Sequence, residues 1–116
     1  ASMIWIERGQ GRSNLLIYLV MVKTAEQGEA FRRNLVSSNI EEGYQEFAPP
    51  AVISLPDVTW VGTREKQEMY VVTQFNEIVV VVYLNNPDNF NEASDGAVAA
   101  ALYAQMQIEK LEKAGY

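Results

Sequence analysis

The run from Ile78 to Leu84 constrains the fold of this chain more than any other stretch. It reads Ile-Val-Val-Val-Val-Tyr-Leu directly after Glu77. β-Branched and aromatic residues favour strands, and successive side chains of a strand point to opposite faces of a sheet. The run therefore predicts a central strand with apolar side chains on both faces, and each face must be covered.

Further strands and two helices are predicted around this central strand. A capping-box spacing at Thr24 and Gln27 predicts the start of the first helix. Gly43 and three prolines interrupt residues 40–56, which we expect to form a connector with at most a helical turn near 41–47. In chain order, the predicted elements are strands at 3–8 and 15–22, a helix at 25–37, strands at 58–63 and 68–74, the central strand at 77–84, and a helix from 92 or 93 to 113.

The order of these elements predicts the fold class. At 116 residues, the chain has the length of a single domain, which we place at residues 1–116. Sequential hairpins, each followed by a helix, favour a two-layer α+β domain with an antiparallel sheet of about five strands and two helices on one face. The order is ββα-βββα. Residues 3–37 and 69–113 share a hairpin-then-helix pattern, which indicates a possible internal ββα repeat.

Two helices on one face would leave the other face of the sheet open. The apolar patch on that face would exceed the roughly 300–600 Å² that a monomer usually exposes. A second copy of the chain, a protein partner or the connector must then cover it. Val80 and Val81 are the interface candidates, according to which of them points away from the helices.

Four aromatic residues are candidates for a pocket or an interface. Trp5, Tyr18, Trp60 and Tyr83 lie on predicted strands, and Trp and Tyr are enriched at binding surfaces. Packing in the core explains the same pattern equally well. Gly9 to Asn14 resembles a phosphate-binding loop, but a strand follows it where such loops need a helix, so we interpret it as a hairpin loop.

Composition excludes several kinds of chemistry. The chain has no His and no Cys, which removes the usual general base, cysteine nucleophiles and thiolate zinc sites. A net charge of -6 argues against nucleic acid as a partner. Asp88, Asn91 and Asp95 are weak calcium candidates without the spacing of a calcium loop, and turn or cap roles explain them as well. We expect no cofactor.

Nothing in the sequence predicts a membrane span. The apolar run from Ser13 to Val22 is about half the ~20 residues that a spanning helix needs. Ala1 and Ser2 before Met3 leave the compartment open, either cytoplasmic or, with an upstream export segment, extracytoplasmic.

The tail at 100–116 is Ala-rich, helical in pattern and ends in Ala-Gly-Tyr. It resembles the closing segment of uncharacterised exported or lipoprotein-type bacterial domains. That resemblance implies an extracytoplasmic binding or sensor-like module, with no catalytic residues to carry over.

Together these observations predict a non-enzymatic binding module. It acts through the open face or edge of its sheet, on a second copy or on a protein partner. The alternative is a small-molecule-binding or enzymatic domain whose pocket lies between sheet and helices and is lined by the four aromatic residues.

Overall fold

A computed structural model describes residues 2–10, 13–86 and 89–116, with the backbone alone for 2–10 and 13. The elements in chain order are β1 (Ser2–Gln10), β2 (Ser13–Met21), α1 (Ala25–Glu41), β3 (Gln45–Phe47), β4 (Trp60–Arg64), β5 (Glu68–Phe75), β6 (Ile78–Asn85) and α2 (Ala93–Lys113). None of the helices in these ranges is long and apolar enough to cross a membrane.

The strands form one antiparallel sheet with the order β1-β2-β6-β5-β4-β3. The predicted central strand is β6, which pairs with β2 on one side and β5 on the other. Val81, for example, lies between Tyr18 of β2 and Val72 of β5. Because β6 lies inside the sheet and is covered on both faces, it needs no polar alternation.

Helix α2 covers one face of the sheet, which we call the α2 face. Its inward side consists mainly of small residues, which allow the helix to lie close to the strands. A Cβ added to Gly96 would lie 2.6 Å from a carbon of Met69 in β5. The core between α2 and the sheet includes strand residues Met69, Val71, Ile78, Val80 and Val82 and helix residues Ala97, Ala100 and Ala104.

Helix α1 covers the opposite face, which we call the α1 face. The core there contains the alternate residues of the central strands, including Val72, Val79 and Val81. Leu35 and Val36 of α1 pack against this core. Near the middle of the helix, Arg32 Nε donates to Gln74 Oε1 of β5 at 2.8 Å.

The predicted α+β class, antiparallel sheet, two helices and element order are confirmed. The placement of the helices differs from the expectation, because they lie on opposite faces of the sheet and not on one. Both faces of β6 are therefore covered from within the chain: Val80 is 0% exposed and Val81 is 3% exposed. The two predicted ββα units, β1–β2–α1 and β5–β6–α2, therefore have opposite handedness, because their helices follow onto opposite faces of one sheet. No rotation superimposes one unit on the other.

The connector contains a strand that was not predicted from the sequence. Residues 45–47, expected to form at most a helical turn, form β3 at the edge of the sheet and pair with β4. Helix α1 also runs four residues beyond its predicted end at residue 37, to Glu41. Gly43 then reverses the chain with a φ of +100°, a conformation that favours glycine.

The predicted start of α1 is confirmed with one change in its cap. The Thr24 hydroxyl accepts from the backbone N–H of Gln27 at 3.2 Å, as the spacing requires. The Gln27 side chain reaches one residue further back and accepts from the backbone N–H of Lys23 at 3.0 Å. Together these bonds satisfy two backbone donors at the helix entry.

Candidate functional site

The outer edge of β1 is the first candidate site. All nine residues of β1 pair with β2 on one side, from Ser2 with Met21 to Gln10 with Ser13. On its other side, β1 pairs with no strand of the described ranges. A long edge strand presents backbone N–H and C=O groups that another strand can bind.

One hydrogen bond shows which backbone groups of β1 point outward. The Val22 N–H donates to the carbonyl of Glu77 at 3.0 Å, just beyond the β2–β6 ladder. Backbone groups of successive residues in antiparallel strands point alternately to the two sides. Even-numbered residues of β2 therefore point toward β6 and odd-numbered ones toward β1. Through the observed register, the residues of β1 whose backbone N–H and C=O groups point away from β2 are Met3, Trp5, Glu7 and Gly9.

The opposite edge of the sheet is protected against strand addition. Strand β3 has only three residues, and Pro49 and Pro50 follow shortly after it. Short edge strands and nearby prolines are common means of preventing edge pairing. The two edges therefore differ, and β1 is the one that offers a long continuous surface.

A cluster of tyrosines around Glu68 on the α1 face is the second candidate site. The Tyr83 hydroxyl donates to Glu68 Oε1 and Arg64 Nε donates to Glu68 Oε2, each at 2.6 Å. The ring of Tyr70 lies 5.0 Å from that of Tyr83 and 5.1 Å from that of Tyr44, measured between centroids. We call these five residues the Glu68 cluster.

Arg64 connects the Glu68 cluster to the end of α1. Its guanidinium carbon lies 4.6 Å from the centroid of the Tyr44 ring, a cation–π contact. Its Nη1 donates to the backbone carbonyl of Glu42 at 2.9 Å. Both carboxylate oxygens of Glu68 and two nitrogens of Arg64 are thus bound within the chain. The cluster joins β4, β5 and β6 to the segment after α1.

The protonation states of the Glu68 cluster disfavour acid–base catalysis. The Arg64 hydrogen bond, followed by that from Tyr83, lowers the pKa of Glu68 despite its partial burial. Burial and the Glu68 carboxylate raise the pKa values of Tyr44 and Tyr83. Near neutral pH the carboxylate is charged and the phenols are neutral. Efficient general acids and bases have pKa values near the working pH, which these groups move away from.

Glu68→Gln should make the free energy of unfolding less dependent on pH in the acidic range. Because the folded pKa of Glu68 lies below its ordinary value of 4.5, the carboxylate stabilises the fold above that pH. This contribution is lost as the pH falls through the folded-state pKa. We expect the variant to lose about 1 kcal/mol at pH 7 and little at pH 2, measured by urea unfolding. Glu109→Gln on the exposed surface of α2 is the control, and equal losses at both pH values would contradict the assignment.

The structure brings three of the four predicted aromatic residues to one face. Tyr18 and Tyr83 are half-buried on the α1 face, and Trp60 is buried in the core beneath α1. The ring of Trp60 lies against Gly62, where an added Cβ would be 2.1 Å from a ring carbon. Trp5 lies opposite Tyr18 in the β1–β2 register, and its side chain is outside the described residues.

Val80 and Val81 are not surface residues of the single chain. Val80 lies in the core beneath α2, and Val81 lies in the core beneath α1. The expectation that one of them points to an open face assumed that both helices share the other face. Their burial removes both as interface candidates.

The weak calcium candidates do not form a described site. Asp88 lies outside the described residues, and Asn91 is exposed. Asp95 Oδ2 accepts from the backbone N–H of Glu92 at 3.3 Å as part of the cap of α2. Within the described ranges, no group of three or more Asp and Glu side chains could hold a metal ion.

Four residues of the Glu68 cluster were not predicted from the sequence. Arg64 and Glu68 flank a turn, and that spacing alone was consistent with solvated charges. Tyr44 lies in the connector, where no register was predicted. Tyr70 and Tyr83 become neighbours only through the pairing of β5 with β6.

No protein-family model matches the chain, and no curated protein or solved structure is significantly similar to it. The resemblance of the tail at 100–116 to exported bacterial domains stays a prediction.

Proposed function

We propose that this protein is a non-enzymatic interaction module that binds by strand addition at the outer edge of β1. The strand that it accepts belongs to a second copy of the chain or to a protein partner. Main-chain hydrogen bonds provide the affinity in this mode of binding, so no catalytic or metal-binding motif is needed.

One observation carries the proposal: β1 is a nine-residue edge strand, whereas the opposite edge, β3, is three residues long. Within β1, only Glu7 and Arg8 are charged, and their charges cancel. Natural edge strands are usually protected by charge, proline or brevity. Residues 2–10 have no proline and no net charge.

The chemistry of the interior also supports a binding role. Within the Glu68 cluster, the Glu68 carboxylate accepts hydrogen bonds from Arg64 and Tyr83, and the phenols are neutral near pH 7. Because the chain has no His or Cys, the side chains that most often catalyse near neutral pH are missing from its sequence. The tyrosines are better explained as contacts that fix the end of α1 over the sheet.

Glu7→Pro should prevent self-association without disrupting the β1–β2 hairpin. Glu7 points its N–H outward, so proline removes a donor from the free edge and leaves the bonds to β2 in place. We expect the wild-type mass by light scattering to approach twice 13.0 kDa at high concentration and 13.0 kDa on dilution. The mass of Glu7→Pro should remain near 13.0 kDa at every concentration.

Glu7→Thr is the matched control, because it removes the same carboxylate but keeps the N–H. It should associate like the wild type. Equal association of the proline and threonine variants would contradict binding at this edge. A wild-type monomer at every concentration would contradict self-association. If the thermal midpoint of that monomer also rose with an aromatic small molecule, the pocket alternative would gain support.

A further inference from the structure

The geometry points to a specific partner and register: a second copy of the chain whose β1 pairs antiparallel with this β1 about a two-fold axis at Ile6. The two six-stranded sheets then form one continuous sheet. This inference rests on the proposed function, because it names the strand that the edge accepts.

The alternation of backbone groups limits the possible registers. On the outer edge, Met3, Trp5, Glu7 and Gly9 carry the N–H and C=O groups that point away from β2, where no strand of the described residues pairs with them. In an antiparallel pair, residues that exchange both hydrogen bonds lie directly opposite one another. Odd-numbered residues must therefore face odd-numbered ones. In a symmetric dimer, this requirement places the two-fold axis at a residue and never between two residues.

The length of β1 favours an axis at Ile6. With this axis, Ser2 faces Gln10 of the second copy, Trp5 faces Glu7, and all nine residues of β1 are paired. An axis at Trp5 would pair only residues 2–8, and an axis at Glu7 only residues 4–10. Each additional pair satisfies further backbone groups and increases the contact between the strands.

The charges of β1 favour the same axis. An axis at Glu7 would place two carboxylates directly opposite one another, and an axis at Arg8 would do the same with two guanidinium groups. Like charges directly opposite each other across strands are destabilising. The axis at Ile6 places Glu7 opposite Trp5 and Arg8 opposite Ile4. Because residues 2–10 carry no net charge, the contact adds little to the repulsion between chains of charge -6.

A single cysteine tests the register, because the chain contains no other thiol. At an Ile6 axis, the two copies of residue 6 form a pair without hydrogen bonds, with Cα atoms about 4.5 Å apart. This separation lies within the range that a disulfide can bridge. Ile6→Cys should therefore give a disulfide-linked dimer as its main product under mild oxidation, seen on a non-reducing gel.

Ile4→Cys and Arg8→Cys are the controls. Each would place its two thiols four residues apart along the paired strands, roughly 13 Å, so neither alone should cross-link. A mixture of these two variants should form the mixed disulfide, because Ile4 faces Arg8 in the proposed register. This mixture also tests the register if Ile6→Cys does not fold.

The outcomes separate this inference from the proposed function. A dimer by light scattering that cross-links through Glu7→Cys, and not through Ile6→Cys, would overturn the register and leave the edge interface standing. A chain that stays monomeric at every concentration would overturn both self-association and the register. Cross-linking of Ile6→Cys and of the mixture, without cross-linking of either control alone, is the result that the proposed register requires.

Discussion

Val80→Lys should leave the chain unfolded or nearly so. Val80 is fully buried between β6 and the small residues of α2, including Ala100 and Ala104. A lysine there has no partner and cannot reach water without displacing the helix. An unpaired buried charge costs several kcal/mol, and a domain of this size has about 5–15 kcal/mol of stability in total. Far-UV circular dichroism and urea unfolding should show the loss.

Val52→Lys is the matched control for this experiment. The side chain of Val52 in the connector is 86% exposed, so the same change should alter stability by less than about 0.5 kcal/mol. Val81→Lys should behave like Val80→Lys, because Val81 is buried beneath α1. If either lysine variant folds with normal stability, the face of β6 that carries the substituted valine is open. That result would contradict the structure, which places Val80 beneath α2 and Val81 beneath α1.

Trp60→Ala should have the next largest effect. Trp60 of β4 is buried on the α1 face, with Tyr44, Val72 and Val81 in the same core. Removing a buried Trp side chain costs about 3–5 kcal/mol through lost burial and the cavity left behind. Trp60→Phe fills part of that space and should cost less. Urea unfolding measures both losses.

The contact between Trp60 and Gly62 allows a double-mutant test. Gly62→Ala places a Cβ 2.1 Å from the Trp60 ring, so the ring must move, at a cost of about 1–3 kcal/mol. In the Trp60→Ala background this ring is missing, and Gly62→Ala should be close to neutral. Additive losses would show that Gly62→Ala acts through another contact.

The sequence predicted the central strand and its neighbours because their patterns are local. Ile78 to Leu84 has no polar alternation, and the structure explains this by a helix on each side of β6. The end of α2 at Lys113 was likewise predictable from Gly115. These features depend on the composition of one segment, and a single sequence contains that information.

The face that each helix covers was not predictable in the same way. The periodicity of a helix can indicate which of its sides is buried, but not which side of the sheet that helix meets. That choice depends on the direction in which residues 22–24 carry the chain from β2 into α1. Assigning both helices to one face led directly to the wrong expectation for Val80 and Val81.

The candidate sites depend on contacts between segments that are separated in the sequence. The Glu68 cluster requires the register of β5 against β6, which brings Tyr70 opposite Tyr83. To identify β1 as an edge strand requires the strand order. In that order, β6 lies between β2 and β5, and β1 lies outside β2. Trp5 and Tyr18 were predicted as site candidates from their residue types, and their pairing across β1 and β2 emerged only from the register.

Amide hydrogen exchange of β1 at two protein concentrations tests whether the outer edge of this strand is the interface. The amides of Ile4, Ile6 and Arg8 point toward β2 and should be protected at both concentrations. The outward amides of Met3, Trp5 and Glu7 should exchange rapidly in the dilute sample and become protected in the concentrated one. Rapid exchange of these outward amides at a concentration where the mass has doubled would place the interface elsewhere and contradict strand addition at β1.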